Sequence, residues 1–273
     1  MIEWCEQIVS DLDQIEREEN VVILLAVESG SRAWGFASRD SDLDGRFVYV
    51  HRPDWYLSID IEDRRDVIER PVRDMMDVSS WDIRKTLRLF RKPNPPLLEW
   101  LQCPMVYRER FLFAQRLRAF LPAFYSPKAS FFHYLHMAQG NLREYLGGET
   151  VWRKKYLYVR RPLLAMGWIE AGLGPVPIEF GRLVDATLPA GEVRLAIDQL
   201  VAEKKAGAEF DFGPKIPPIS RFIESEIARP QCIATNQPLV TTPSEQLNEL
   251  FRTTLAEVWA KTELSSRPVP ANR

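Results

Sequence analysis

Asp42 and Asp44 stand two residues apart, shortly after a Gly30-Ser31 turn. On a strand, residues i and i+2 leave the same face, so both carboxylates point one way. Their Cα atoms would lie roughly 6.5 Å apart. Two unpaired carboxylates that close repel and shift each other's pKa unless a cation lies between them. A hard divalent ion with oxygen ligands, Mg²⁺ first or Mn²⁺, suits such a pair. The Gly30-Ser31 turn can offer backbone N–H groups and a hydroxyl to phosphate oxygens. A metal site beside a phosphate site points to phosphoryl or nucleotidyl transfer. Acidic pairs near turns are commonly just solvated. Here the apolar run 21–27 reads as a buried strand leading into the turn, and the run 47–50 continues from the aspartates.

Gly30-Ser31 followed by Asp42-x-Asp44 resembles the signature of the DNA polymerase β-type nucleotidyltransferase superfamily. Three longer strings are more specific: Glu28-Ser29-Gly30-Ser31-Arg32-Ala33-Trp34-Gly35-Phe36, Trp81-Asp82-Ile83-Arg84-Lys85 with the later Asn94-Pro95 and Leu98-Glu99-Trp100-Leu101, and Lys154-Lys155-Tyr156-Leu157-Tyr158-Val159-Arg160-Arg161-Pro162. Together they resemble a nucleotidyltransferase family associated with RNA-ligase repair operons, over about residues 21–185. The resemblance implies transfer of a nucleoside monophosphate from an NTP to a hydroxyl. It also implies a third acidic residue, on a later strand beside the first pair, to place a second metal ion. Asp74, Asp77 and Asp82 are candidates. Asp77, at the end of a strand-like stretch, is preferred. Asp74, three residues away, stays an alternative, and Asp82 is better placed in the first turn of the next helix.

The expected metal ligands and catalytic residues are therefore Asp42, Asp44 and Asp77. Gly30 and Ser31 would hold the nucleotide's phosphates, and Arg32 either adds a charge-assisted contact or pairs with Asp40. Trp34 and Phe36 read as core. Arg84, Arg88 and Arg91 read as a solvated stripe, whereas Lys85, inside the family-like string, reads as a phosphate contact. Lys154, Tyr158 and Arg161 share one helical face, which would show cations and an aromatic ring to a triphosphate or an RNA backbone, or else dock on the chain's own acidic part. The favoured acceptor is an RNA end, through the family's link to RNA repair. Alternatives are a protein or small-molecule acceptor, or a nucleotide-binding scaffold without catalysis. The intact Ser31, Asp42 and Asp44 set argues against the last.

These groups need elements to hold them. Residues 2–19 read as an amphipathic helix, 21–28 and 42–50 as strands, 51–65 as a loop and 67–78 as a further strand. Ser80 would cap a helix over 81–92, ended by Pro93, Pro95 and Pro96. Strands and helices alternate to about residue 105, and the rest reads as helical: 126–146, 151–171, 179–187, 190–205, 219–228 and a final helix opened by a capping box at 242–245. The expected fold is α+β, a small mixed-sheet nucleotidyltransferase domain over 1–120 followed by an all-helical substrate-binding domain over 121–262. A disordered tail would cover 263–273.

Composition sets outer limits. The chain has 273 residues, 45% hydrophobic and 27% charged, and a net charge of −2. It offers no global attraction to nucleic acid, so any such binding needs a local patch. Cys5, Cys103 and Cys232 are dispersed, which fits a reducing cytosol. His133 and His136 read as helix packing. No run of 18 apolar residues occurs. A cytoplasmic protein that does not meet the membrane is expected, with its oligomeric state open.

Overall fold

A computed structural model describes residues 2–73, 75–207, 212–229 and 244–265, with side chains described from residue 6 to 260. Four strands form one mixed sheet: β1 (Val22–Glu28), β2 (Leu43–Val50), β3 (Met76–Asp82) and β4 (Val106–Glu109), in the order β3-β2-β1-β4. β1 pairs antiparallel with β2 and β4, and β2 pairs parallel with β3. The helices of this half are α1 (Ile2–Glu19), the short α2 (Gly30–Ala33) and α3 (Pro53–Tyr56), α4 (Ile83–Arg91), α5 (Pro95–Gln102) and α6 (Phe113–Phe124). Then follow α7 (Pro127–Tyr145), β5 (Thr150–Trp152), α8 (Lys155–Glu170), α9 (Phe180–Thr187), α10 (Glu192–Lys205), β6 (Phe212–Pro214), α11 (Pro217–Ala228) and α12 (Ser244–Ser265). The α+β architecture is the expected one. Among the described residues no helix is long and apolar enough to cross a membrane.

The alternation of β2 decides which side chains go where. Leu43, Phe47 and Tyr49 face α1 and pack on Ile8, Leu12 and Ile15, together with Met76 and Val78 of β3. Val48 and Val50 leave the other face, into a core with residues of α4, α5, α6 and α12. Asp42, Asp44 and Arg46 share that second face by the same period of two, but where the strand begins they are only partly covered. A third cluster gathers α7 to α11 and includes Phe36 from the segment after β1. The last helix, placed with the helical domain by sequence, packs instead on α4 and α6 beside the sheet.

Local signals explain most boundaries and correct several. Ser126 caps α7, accepting from the Ala129 N–H. Ser80 does not cap α4: it lies inside β3, its hydroxyl exchanging hydrogen bonds with Ile68 backbone. Asp82 is the cap, accepting from the Arg84 N–H at 2.7 Å, so the helix starts at Ile83 and not at residue 81. The prolines after α4 also open α5, where Asn94 caps and Pro95 sits at a position that needs no N–H. The loop 51–65 contains α3, and 151–152 belong to a strand before α8 begins. The capping-box threonine at 242 lies outside the described residues. So does the expected tail, apart from the last turn of α12.

Asp82 is buried, and burial pushes its carboxyl up to about 6, against hydrogen bonds from the Tyr56 hydroxyl and the Arg84 N–H that favour the ionised form. A folded pKa above the ordinary 3.8 means that this group favours folding fully below about pH 4, and that the contribution is lost as pH rises through about 6. About two units correspond to about 3 kcal/mol. Asp82→Asn retains an acceptor for the cap without titrating. Urea unfolding should therefore show the variant gaining on the parent by up to about 3 kcal/mol between pH 4 and pH 7. An offset that does not change with pH contradicts the buried-charge account.

Candidate active site

β1 ends at Glu28, and the chain turns at once into α2. Gly30 sits there with φ of +59°, and a Cβ built on it would stand 1.9 Å from Asp44 Oδ2. Glycine is needed twice over, for the backbone conformation and for the space. The strands bring Asp44 to this spot by backbone bonds: the Ser29 N–H donates to the Asp44 carbonyl at 2.9 Å, and the Asp44 N–H donates to Glu28 Oε1 at 3.0 Å. Glu28 is fully buried and also accepts from the Tyr107 hydroxyl. Burial holds the carboxyls of Glu28 and Asp44 above the usual range. At Asp44, Arg46 opposes the shift, while the charges of Asp77 and Asp42 add to it.

Asp77 is the direct neighbour of Asp44 in the parallel β2–β3 register. Leu43 and Gly45 turn to the α1 side, so Asp42, Asp44 and Asp77 emerge on the opposite face. Between the last two lies Arg46, with Nη2 2.7 Å from Asp77 Oδ2 and 3.3 Å from Asp44 Oδ1. Its Nη1 donates to the Asp77 carbonyl at 2.9 Å. Among the described residues no three Asp, Glu, His or Cys side chains stand close enough to enclose a metal ion. The carboxylates nonetheless offer only hard oxygen donors, the kind a divalent ion takes, and here the Arg46 guanidinium compensates the charge of Asp44 and Asp77. Asp74 lies outside the described residues.

The profile of the RNA repair pathway DNA polymerase beta family matches residues 5–253. The chain belongs to that family. It is a DNA polymerase β-like nucleotidyltransferase. Uncharacterized protein YcgL of Bacillus subtilis (strain 168) is 44% identical to it over 255 residues, covering 93% of this chain and 97% of the relative. A solved nucleotidyltransferase-like protein from Exiguobacterium sibiricum 255-15 aligns with 90% of the chain and 80% of its own, at 13% identity and a TM-score of 0.30.

The structure of this nucleotidyltransferase sorts the other expected residues. Ser31 is buried in α2, beside Gly30. Arg32 ties down the entry to β2: its Nε donates to the Asp42 carbonyl at 3.1 Å and its Nη2 to the Ser41 carbonyl at 2.6 Å. Lys85 is not brought to the carboxylates. It pairs with Asp66 at 2.8 Å, beyond the opposite end of β3, and Asp82 is already about 16 Å along the strand from Asp77. Arg161 is corrected outright. Its side chain is 3% exposed and donates to Glu99 at 2.7 Å, with further bonds to the carbonyls of Pro177 and Ile178. The guanidinium also lies 4.8 Å over the ring of Trp34. It is a structural tie between the helical cluster and α5. Charge on a helix looked like a ligand site because sequence does not show which turn is buried.

Lys154 lies over the ring of Trp152, 4.2 Å from its centre, and it is another lysine, missed by sequence reasoning, that stands beside the entry to β2. Lys204 of α10 is buried, with Nζ 3.5 Å from Ser41 Oγ. Its pKa is lowered by burial, then by Lys154 and Arg32, while Asp42 opposes. Tyr158, the middle of the expected face, feels Asp44 and Asp42, which add to burial in raising its hydroxyl to about 12. Arg46 was legible by its i+2 spacing from Asp44. Lys204 gave no local signal, because its partner is 163 positions away.

Two substitutions separate site from scaffold. Gly30→Ala should destroy nucleotidyl transfer and destabilise the fold by more than about 1 kcal/mol, since the new Cβ meets Asp44 and the φ is unfavourable. Arg161→Ala should cost about 3–5 kcal/mol in a denaturant titration by stranding the Glu99 charge. Unchanged stability in the second variant would return Arg161 to the candidate ligands.

Proposed function

We propose that this nucleotidyltransferase transfers a nucleoside monophosphate from an NTP to a hydroxyl of an RNA end, with release of pyrophosphate and with Mg²⁺ or Mn²⁺, in the cytoplasm. The observation that carries the reading is Asp44, set against Gly30 with Asp42 and Asp77 on the same sheet face, and with Lys204 of the helical cluster beside Ser41. Asp42, Asp44 and Asp77 would hold the metal. Bound there, divalent ions would lower the pKa of the attacking hydroxyl and neutralise charge on the leaving pyrophosphate.

The chain's own residues do the rest. Glu28 orients Asp44 through its backbone N–H. The Gly30-Ser31 turn lets a phosphate approach the backbone closely. Lys204 would bind the triphosphate and Lys154 the acceptor backbone, both from the helical cluster, which then acts as the substrate-binding half. Lys204 is desolvated already, so a contact between it and a phosphate is less screened than one at the surface. Arg46 keeps Asp44 and Asp77 from repelling one another while no ion is bound.

The decisive experiment incubates the protein with each labelled NTP, Mg²⁺ or Mn²⁺, and a panel of RNA ends, proteins and small hydroxyl compounds. Label should appear on RNA ends, and transfer only to a protein or small molecule would replace the acceptor. Asp44→Asn should abolish transfer and also remove the rise in melting temperature that metal and NTP produce together in the parent. Asp42→Asn should do the same while staying folded. Near-parental transfer by either variant rules out the metal assignment. Lys204→Ala should raise the KM for NTP about tenfold, and less at high salt.

A further inference from the structure

β5 and β6 form a small antiparallel ribbon apart from the main sheet, with Trp152 directly opposite Phe212. Their rings stack, centroids 6.0 Å apart and planes within 17°. A cross-strand aromatic pair can stabilise a ribbon by itself, but Phe212 is 70% exposed. Most of this large apolar ring therefore gains nothing from burial. Cations collect on the same pair. Lys154 Nζ lies 4.2 Å from the Trp152 ring centre and Lys155 Nζ 4.9 Å. Lys155 also lies over Tyr145 and Tyr158, at 4.4 and 4.6 Å.

Contacts link this platform to the candidate active site. Lys155 lies over Tyr158 at 4.6 Å, and Tyr158 meets the ring of Trp34 edge-on at 5.2 Å, three residues after Ser31. Lys204 of α10 lies 3.5 Å from the hydroxyl of Ser41, the residue before Asp42. Arg153 ties the ribbon to α10 through Glu203 at 3.6 Å.

We propose that the β5–β6 ribbon is the platform for the acceptor, a single-stranded polynucleotide whose bases stack on Phe212 and Trp152 and whose phosphates lie beside Lys154 and Lys155. Its terminal hydroxyl then points to Asp42 and Asp44. The inference rests on the proposed transfer to an RNA end and specifies how that end is held. Every base has a π-face, so an exposed ring beside cations recognises single strands with little regard to sequence. A duplex buries those faces and gains only the charge term. On a protein of net charge −2, such a local cluster supplies the attraction that the whole molecule lacks.

Fluorescence anisotropy with labelled single-stranded RNA, single-stranded DNA and duplex, at several salt concentrations, tests it. The parent should bind single strands more tightly than duplex, and RNA over DNA only if the 2′-hydroxyl is read. Phe212→Ala should weaken single-strand binding about tenfold, and Phe212→Tyr should restore it. The KM for an oligonucleotide acceptor should rise by a similar factor. Should Phe212→Ala lower the melting temperature, Lys154→Gln gives an independent reading through a shallower salt dependence. Single-strand binding unchanged in both variants overturns the platform. So does a parent that binds no single strand. Pyrophosphate release with a protein or small-molecule acceptor would then show that the chemistry stands and only the acceptor site has failed. No release with any acceptor would instead count against the nucleotidyl reading itself.

Discussion

A carboxylate oxygen of Asp44 occupies the space where a side chain on residue 30 would begin, 1.9 Å from an ideal Cβ position. This contact constrains everything near it. The turn after β1 must carry glycine, and β2 must start in a register that puts its second residue against that turn. Glu28 must be buried to accept the Asp44 N–H. Burying two carboxyls together is unfavourable, and the surroundings offset it with hydrogen bonds from Tyr107 and the backbone to Glu28 and with Arg46 on Asp44. A site assembled this way is held before any ligand arrives, which suits chemistry that depends on position.

The second constraint joins the two halves. The segment after Gly30 continues into Trp34 and Phe36, and Phe36 packs in the helical cluster. Trp34 lies under the Arg161 guanidinium and edge-on to Tyr158 at 5.2 Å. Its carbonyl accepts from the Phe180 N–H at 2.9 Å. Glu99 answers Arg161 and accepts the Tyr134 hydroxyl at 2.8 Å. The turn beside the carboxylates is thus also the staple of the interface. Tyr158 meets that segment at Trp34, and Lys204 lies over Phe36 at 5.4 Å while reaching Ser41 at 3.5 Å. Arg160, next in sequence to Arg161, shows the contrast. It is fully buried over Phe222 at 4.4 Å, and burial lowers its pKa to about 9.

Much of this was legible along the chain. The apolar run of β1, the glycine turn and the alternate aspartates are local patterns with local causes, and Ile8, Leu12 and Ile15 mark the buried stripe of α1 by spacing alone. Asp77 is preferred because the family resemblance implies a third carboxylate on a strand beside the first pair, and the parallel register sets it next to Asp44. Ser80 and Asp82 show where such reading fails. Both can cap a helix, and the choice fell to β3, which extends to Asp82 because Ser80 bonds Ile68 twelve positions back. Strand pairing outweighed local propensity.

The sequence by itself determined the local elements and the chemistry available to them: which face of β2 carries carboxylates, a glycine turn after β1, and membership of a nucleotidyltransferase family. Those follow from periods of two and 3.6 and from side-chain types, which need only neighbours in the chain. Tertiary structure alone decided the fate of the distant cations. Lys85, Lys154, Arg161 and Lys204 are alike as charges, yet one pairs with Asp66, one lies over Trp152, one is buried against Glu99 and one reaches Ser41. A charged side chain is placed by what desolvates it and what pairs with it. Both come from residues far along the chain.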